Sequence, residues 1–274
     1  MIILWGLTIL VILLLVIKYF AGTSRDYITN RNRIKDEVIM TSNQVITDED
    51  LEALPQLVGT YLRYVGVVGK EKVTMFEADI IGEMKLNQSK EWSPIRAEQT
   101  TSLNQAIRLF FITMTYNGLS INGLHHFEAG EASMVIKILD LIKVADNRGL
   151  EMNQAETVTY FNDLCIFAPS ALIDADIVWE EIDDQNIKGT FTNKGLSVSA
   201  ILSFDEEGKL INFISNDRYA IEEDGLVVQV PWSTPIEAYD DFHGYRLVSK
   251  GEAIWHYPEG DFCYIRMTIN DVVY

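Results

Sequence analysis

The chain has 274 residues, of which 48% are hydrophobic and 23% charged, a composition typical of a folded globular protein and unlike that of a disordered one. Forty acidic residues against 22 basic ones leave a formal net charge of −18, which repels phosphate backbones and argues against nucleic-acid binding. Cys165 and Cys263 are too few for a disulfide framework or a four-cysteine zinc site. They could form one disulfide, although two buried thiols are the simpler expectation.

The first segment of the chain predicts a membrane anchor. Residues 1–17 contain no charged side chain, and about 20 apolar residues are enough to cross a bilayer as a helix. No basic residue precedes this run and no small-residue cleavage site follows it, so it differs from a cleaved signal peptide. We therefore predict a single transmembrane helix over residues 1–21. The excess of basic side chains after it favours a cytoplasmic location for the rest of the chain, although short anchors can also deliver domains outward: Lys18, Arg25, Arg31, Arg33 and Lys35.

Two helices are predicted beyond the anchor. Residues 22–46 are polar and show no sustained periodicity, so we expect a polar stalk there and one β-rich domain over residues 47–274. Thr47 and Asp50 have the spacing of a capping box, and apolar residues follow at helical spacing up to Val65. A second helical pattern covers residues 153–167 and ends before a proline.

Most of the remaining chain shows the two-residue period of β-strands. Strands are predicted over residues 72–86, 92–102 and 106–116, and glycine turns divide residues 187–274 into an antiparallel meander. Several strands are apolar on both faces, which is typical of a sheet that is covered on both sides. The pattern predicts an α+β fold in which a large, curved antiparallel sheet forms a half-barrel and carries helices on its concave side.

Catalytic and metal-binding motifs are not recognisable in the sequence. Nucleophile elbows, phosphate-binding loops, dinucleotide fingerprints and paired cysteine motifs do not occur, so we predict no metal and no cofactor. Carboxylates and histidines can still act as acid and base without a local signature, and Glu98, Asp146 and His256 are the candidates for such a role. The pair His125-His126 with Glu128 lacks further ligands for a metal, so we expect these histidines to lie in a solvated loop.

Aromatic residues spread along the strands provide a second set of candidates. Inside a curved sheet they could line an apolar ligand cavity, or they could be ordinary core. The residues that we predict to contact such a ligand are Trp92, Trp179, Trp232, Trp255 and Tyr264.

Several segments together resemble a widespread bacterial family of unknown function whose members are often membrane-anchored. The similar positions extend over residues 50–274, with differences at His125-His126 and at both cysteines; they include residues 54–55, 61–70, 92–94, 97–99, 145–146, 149, 151, 179, 204–208, 231–232, 251–252, 255–256 and 258–260. That resemblance implies no activity. The strand-rich layout also looks like the LolA-type lipoprotein carriers, an incomplete barrel that holds helices and an apolar cavity, and this likeness concerns layout alone.

Three hypotheses of function follow. The first is a membrane-anchored, non-enzymatic domain that binds an apolar small molecule or lipid in the half-barrel, with the membrane and that ligand as its partners. The second is a hydrolase or isomerase, which requires Glu98, Asp146 and His256 to converge in one pocket. The third is a scaffold that docks a partner protein along an exposed strand edge. An apolar cavity would favour the first hypothesis, and a filled core with an exposed apolar patch would favour the third.

Overall fold

The computed structural model describes Trp5 and residues 8–13, 15–16, 22–37, 44–222 and 225–274. Beyond residue 22 these form the helices α1 (Thr23–Glu37), α2 (Gln56–Val65) and α3 (Leu150–Ile166), with 3₁₀ turns at Glu49–Leu51 and Pro169–Ile173. Most of the predicted anchor over residues 1–21 lies outside the described part of the chain. Within that part, no helix is both long and apolar enough to cross a bilayer.

The strands account for most of the fold. In chain order they are β1 Met75–Met84, β2 Ser93–Ser102, β3 Ile107–Tyr116, β4 Leu119–Glu128, β5 Glu131–Ile138, β6 Ile142–Arg148, β7 Ile177–Glu181, β8 Asn186–Asn193, β9 Leu196–Phe204, β10 Leu210–Ser215, β11 Tyr219–Ile221, β12 Val227–Gln229, β13 Trp232–Ser233, β14 Ile236–Phe242, β15 Tyr245–Tyr257 and β16 Gly260–Val273. Fourteen of them form one antiparallel sheet, in which the order is β6-β5-β4-β3-β2-β1-β16-β15-β13-β10-β9-β8-β7 and β14 adds to β15. Strands β11 and β12 form a separate ribbon. The predicted large antiparallel sheet with few helices is confirmed.

Local sequence determines many of the hairpins. Asn117-Gly118 has φ angles of 50° and 76°, so both residues adopt the left-handed conformation that a tight two-residue hairpin turn requires. Lys194-Gly195 and His243-Gly244 repeat this arrangement. In β9 the alternating apolar residues from Val198 to Phe204 are buried, as the two-residue period predicts.

The sheet curls around α3. This helix contacts β5 and β6 near one edge of the sheet and β9 near the other. On a flat sheet β5 and β9 would be about 40 Å apart at about 4.8 Å per strand, whereas a 17-residue helix is only about 10 Å thick. The Tyr160 ring on α3 lies 5.8 Å from Phe127 of β4 and 6.0 Å from Phe191 of β8. The inner, concave face of the sheet is therefore the face that covers α3.

Helix α2 packs in the same core. Thr47 donates from its backbone nitrogen and its hydroxyl to Asp50, at 2.7 and 2.9 Å, so one half of the predicted capping box forms, at the 3₁₀ turn that precedes α2. The chain then makes a 3₁₀ turn and begins α2 after Pro55, because proline has no N–H to donate within a continuous helix. Tyr61 is buried and donates from its hydroxyl to the carbonyl of Cys165 at 2.7 Å, which joins α2 to the end of α3.

Helix α1 occupies part of the segment predicted to be a stalk, and for residues 23–37 that prediction was wrong. Tyr27 and Ile34 are buried against Ile107, Leu109 and Leu124 on the outer, convex face of the sheet. These two apolar residues lie about two helical turns apart and give α1 a packing face, although most of the helix is polar. The strands predicted to be apolar on both faces are covered on both faces here.

A distant carboxylate fixes the start of α1. Asp140, in the turn between β5 and β6, accepts hydrogen bonds from the backbone nitrogen of Thr23 at 2.7 Å and from its hydroxyl at 2.6 Å. Ser24 donates to the other oxygen of Asp140. The carboxylate thus acts as an N-cap supplied by another part of the fold, a role that local sequence does not reveal.

Candidate functional site: a cavity between the sheet and helix α3

A cavity of about 800 Å³ lies between the inner face of the sheet and α3. Its volume is within the range of about 300–1,000 Å³ that is usual for small-molecule sites. Most of its wall is apolar. The wall is formed by α3, by the middle strands of the sheet and by strands toward the β6 edge. Its apolar side chains include Ile80, Met84, Ile112, Met114, Ile121, Met134, Ile136, Met152, Ile166, Ile265, Met267 and Ile269.

Methionine is concentrated in this wall. Five of the eight methionines in the sequence line the cavity: Met84, Met114, Met134, Met152 and Met267. Methionine is unbranched and polarizable, so it fits apolar ligands of varied shape better than a branched side chain does. The wall is therefore both apolar and adaptable.

Solvent-exposed lining residues mark the opening of the cavity. They lie in the turn after β1, which includes Leu86, in β11, which includes Ile221, and in the turn between β15 and β16, which includes Glu259. Strands β1, β16 and β15 are neighbours in the sheet, so two of these turns lie at the same end of it. The opening is thus bounded by that end of the sheet on one side and by the β11–β12 ribbon on the other.

A buried polar cluster forms another part of the wall. Arg108 on β3 donates from Nε to Asp163 of α3 at 2.5 Å and from Nη1 to Glu156 of α3 at 3.0 Å. His125 on β4 places Nδ1 2.8 Å from the other oxygen of Glu156, and Gln99 on β2 donates to Asp163 at 2.6 Å. Arg108, Gln99, Glu156 and Asp163 are all at most 5% exposed.

The two carboxylates of the cluster titrate in opposite directions. Burial alone would raise the pKa of Glu156, but the neighbouring His125 and Arg108 side chains outweigh it and hold that pKa at about 2. For Asp163 burial is the larger effect, and it raises the pKa above its ordinary value although Arg108 and Gln99 oppose it. Glu156 therefore remains ionised throughout the neutral range and is the firm anchor of the cluster.

The cluster positions α3. Side chains from three strands contact two carboxylates of α3 that lie seven residues, or about two helical turns, apart. Charge-assisted bonds along one side of α3 therefore hold it to the inner face of the sheet. Apolar side chains elsewhere on the inner face then have no helix to fill the space in front of them, and the cavity results. We identify this as a positioning role, since each charged group of the cluster already has a partner.

Three of the five predicted ligand-contacting residues line the cavity. Trp232, Trp255 and Tyr264 are lining residues, with the Trp255 and Tyr264 rings stacked at 5.9 Å and the Trp232 Nε1 donating to the Tyr264 hydroxyl at 3.3 Å. Trp179 instead packs on Phe161, with ring centroids 6.4 Å apart, and belongs to the core. Trp92 lies outside the cavity lining, where the Arg266 guanidinium stacks on its ring at 4.4 Å.

The three predicted catalytic residues do not meet. Glu98 and Asp146 both lie on the outer face and are connected by a straight run of paired residues across β2, β3, β4, β5 and β6. Four strand spacings put them about 19 Å apart along the sheet. His256 lies on β15, three strands from β2 in the other direction. The pocket that the enzyme hypothesis requires is therefore absent from the described part of the chain.

His256 takes part in a different arrangement. Its Nε2 lies 2.8 Å from the Ser233 hydroxyl and its Nδ1 lies 2.7 Å from Asp261, the order of groups found in serine hydrolases. Ser233 is only 3% exposed, and the neighbouring backbone nitrogens of Thr234 and His256 already donate to carbonyls. In the described structure no free pair of N–H donors for an oxyanion is left beside this serine. The three side chains therefore form hydrogen bonds between strands on the outer face and do not form a catalytic triad.

The predicted loop at His125-His126 was wrong, because both histidines lie in β4. Alternation points them to opposite faces: His125 reaches Glu156 inside, and His126 lies 3.0 Å from Glu128 outside. Among the described residues no group of three or more histidines, cysteines or acidic residues could hold a metal ion. Cys165 is buried, Cys263 is half-buried, and both are free thiols.

The buried cluster was not predicted from the sequence. One signal was available: Arg108 lies at an inward position of β3 among apolar inward residues, and Glu156 and Asp163 lie in the part of α3, residues 155–165, that is buried on all sides. Because a buried charge needs a partner, the inward-facing arginine of the sheet could have been predicted to pair with the buried carboxylates of the helix.

Comparisons with known proteins give a family and weak structural similarities. The model of a family described as "Family of unknown function (DUF6544)" matches residues 44–267. No curated protein matches the chain.

Two solved structures that are similar to this chain have low sequence identity to it. One is a domain assigned to outer membrane lipoprotein sorting, from Vibrio parahaemolyticus, with 12% identity, 73% of this chain and 84% of that chain covered, and a TM-score of 0.40. The other is a LolA superfamily protein from Nitrosomonas europaea, with 9% identity, 83% and 93% covered, and a TM-score of 0.40. A TM-score of 0.40 carries no argument about this chain, so its function has to be argued from its own cavity.

Proposed function

Because the chain belongs to the family of unknown function DUF6544, we propose its function from its own structure: it binds an apolar or lipid-like molecule in the cavity between the sheet and α3. The observation that carries this proposal is a cavity of about 800 Å³ with a wall of isoleucine and methionine. A cavity of this size that stayed empty would forfeit many van der Waals contacts, which a bound apolar molecule would restore.

The shape and chemistry of the wall support a ligand with a long apolar part. Each methylene group that moves from water to an apolar wall contributes about 0.8 kcal/mol. Apolar lining residues come from β16, β1, β3, β4 and β5, which lie on one continuous stretch of the sheet. An elongated chain therefore gains more from this cavity than a compact polar molecule does.

We further propose that the predicted anchor over residues 1–21 places this domain at a membrane, where lipid-like ligands are concentrated. Its proposed side is the cytoplasmic one, from the basic residues that follow the anchor. Cysteine labelling of the full chain in intact and permeabilised cells tests the side. The docking-scaffold hypothesis is less supported, because part of the inner face lines a cavity and is not filled by core side chains.

The test of binding introduces the same substitution, isoleucine to tryptophan, at one position inside the cavity and at one position outside it. Ile136 of β5 lines the cavity, whereas Ile142 of the adjacent edge strand β6 is 61% exposed. We expect a fluorescent fatty-acid probe to bind the full chain saturably, and Ile136→Trp to abolish that binding by filling the cavity. Ile142→Trp adds the same side chain outside the cavity and should leave binding unchanged.

Native mass spectrometry and extraction of the purified chain provide the second readout. The proposal expects a retained lipid-like molecule in the unaltered chain and less of it in Ile136→Trp. If neither retained ligand nor probe binding is found, or if both tryptophan variants reduce binding equally, the proposed function is wrong.

A further inference from the structure

Arg218, between β10 and β11, is a cation at the cavity with an unused donor. Its guanidinium carbon lies 4.2 Å from the centroid of the Trp232 ring and 5.4 Å from that of Trp255. Its Nε is buried and has no hydrogen-bond partner among the described residues. A buried donor without an acceptor is costly, so this atom is positioned to gain from an acceptor that a ligand supplies.

The other charged groups of the cavity wall are engaged or exposed. Arg108 is bound by two carboxylates, and the Lys85 ammonium lies 4.9 Å above the Trp92 ring. Glu252 pairs with Arg266 at 2.9 Å. Glu222 and Glu259 also line the cavity, near its opening, and they limit where an anion can bind.

The aromatic frame gives Arg218 a fixed direction. Trp232 is held by its bond to the Tyr264 hydroxyl, and Trp255 stacks on the same tyrosine. A guanidinium over an indole ring interacts with it through its face, and its N–H donors point outward within its own plane, so the unpartnered Nε of Arg218 can meet an oxyanion. This combination favours a planar or tetrahedral oxyanion over a neutral hydroxyl.

We infer that the cavity takes an anionic amphiphile, whose carboxylate or phosphate accepts a hydrogen bond from Arg218 Nε and whose hydrocarbon chain lies along the isoleucine and methionine wall. This inference rests on the proposed function and adds the class of head group to it. The ligand is bound by the charge-assisted bond at its head and by apolar contact along its chain.

The test compares four ligands that share one alkyl chain: dodecanoate, dodecyl phosphate, dodecanol and dodecylammonium. Each displaces a fluorescent fatty-acid probe from the full chain at concentrations below micelle formation. We expect at least one of the two anions to bind about tenfold or more tightly than the alcohol, since a hydrogen bond to a charged group is worth that much. The ammonium should bind most weakly, and the ranking of the two anions identifies the head group.

Variants locate the preference. Arg218→Gln should bring the preferred anion down to the affinity of dodecanol and leave dodecanol itself unchanged, which also shows that the cavity is intact. Arg218→Lys keeps a cation and should retain part of the preference. Arg96→Gln removes an exposed arginine from the outer face and serves as the matched control, with no change expected.

Three results would overturn the inference. If dodecanol binds the unaltered chain as tightly as both anions, the site does not select anions, while the proposed function stands. If the preference for the anion persists in Arg218→Gln, another group supplies it. If none of the four ligands displaces the probe and the probe itself does not bind, both the inference and the proposed function fail.

Discussion

Removing the positive charge of the buried cluster gives the sharpest test of how α3 is held. Arg108→Met leaves Glu156 and Asp163 without their shared cation, and both carboxylates are at most 3% exposed. Breaking a buried ion pair on one side typically costs 3–5 kcal/mol, because an uncompensated charge remains in the interior. We therefore expect a loss of about 3–5 kcal/mol in the free energy of unfolding.

Arg266→Met is the matched control. Arg266 also binds two carboxylates, Glu83 at 3.1 Å and Glu252 at 2.9 Å, but its side chain is 50% exposed. Exposed ion pairs contribute about 0–1 kcal/mol, since water solvates the separated charges nearly as well. Urea denaturation of the two variants and of the unaltered chain at pH 7 measures both losses. If both arginines cost the same, about 1 kcal/mol or less, the cluster is not buried as described and the reasoning is refuted.

The pH dependence of stability provides an independent test of the same cluster. In the unaltered chain Glu156 has a folded pKa near 2, below its ordinary value of 4.5, so its contribution to stability is complete above pH 4.5 and is lost as the pH falls toward 2. In Arg108→Met both carboxyls lose the charge of Arg108 and their pKa values rise, so the folded variant binds more protons than the folded unaltered chain does. The deficit of the variant should therefore be largest near neutral pH and should shrink as the pH falls.

Three further predictions test other parts of the fold. Asp140→Ala removes the acceptor that caps α1, so amide hydrogen exchange should speed up throughout α1 and stability should fall by about 1–2 kcal/mol; unchanged protection would contradict the cap. Gly82→Ala places a methyl carbon 2.0 Å from the Arg266 carbonyl oxygen on β16, so we expect the free energy of unfolding, measured by thermal denaturation, to fall by about 1–3 kcal/mol. An unchanged free energy of unfolding would mean that β1 and β16 are not so close. Ser233 should not react with a fluorophosphonate probe, because its hydroxyl is buried and lacks an oxyanion site; labelling that Ser233→Ala abolishes would revive a hydrolase.

Much of the fold was accessible from sequence because its signals are local. Asn117-Gly118 predicts its own hairpin, the alternation along β9 predicts which side chains are buried, and Thr47 bonds to Asp50 as the spacing of the two residues predicts. Each of these rests on residues within a few positions of one another.

The parts that were missed depend on distant residues. The bond between Arg108 and Asp163 joins positions 55 apart in the chain, and the cap of Thr23 by Asp140 joins positions 117 apart. Periodicity cannot show which charge meets which, and a mostly polar segment gave no strong sign that α1 packs on the outer face. The cavity is harder still, because inward-facing isoleucine and methionine look the same whether the space before them is filled or empty.

The tryptophans permit the most direct test of a ligand inside this cavity. Trp232 and Trp255 line it, whereas Trp92 and Trp179 do not. A fatty acid brominated along its chain quenches indole fluorescence only at close range, so titrating it into the full chain reports where the chain lies. We expect strong, saturable quenching that survives in the variant Trp92→Phe/Trp179→Phe and is largely lost in Trp232→Phe/Trp255→Phe. Equal quenching in both variants, or no saturable quenching in the unaltered chain, would contradict binding in the cavity.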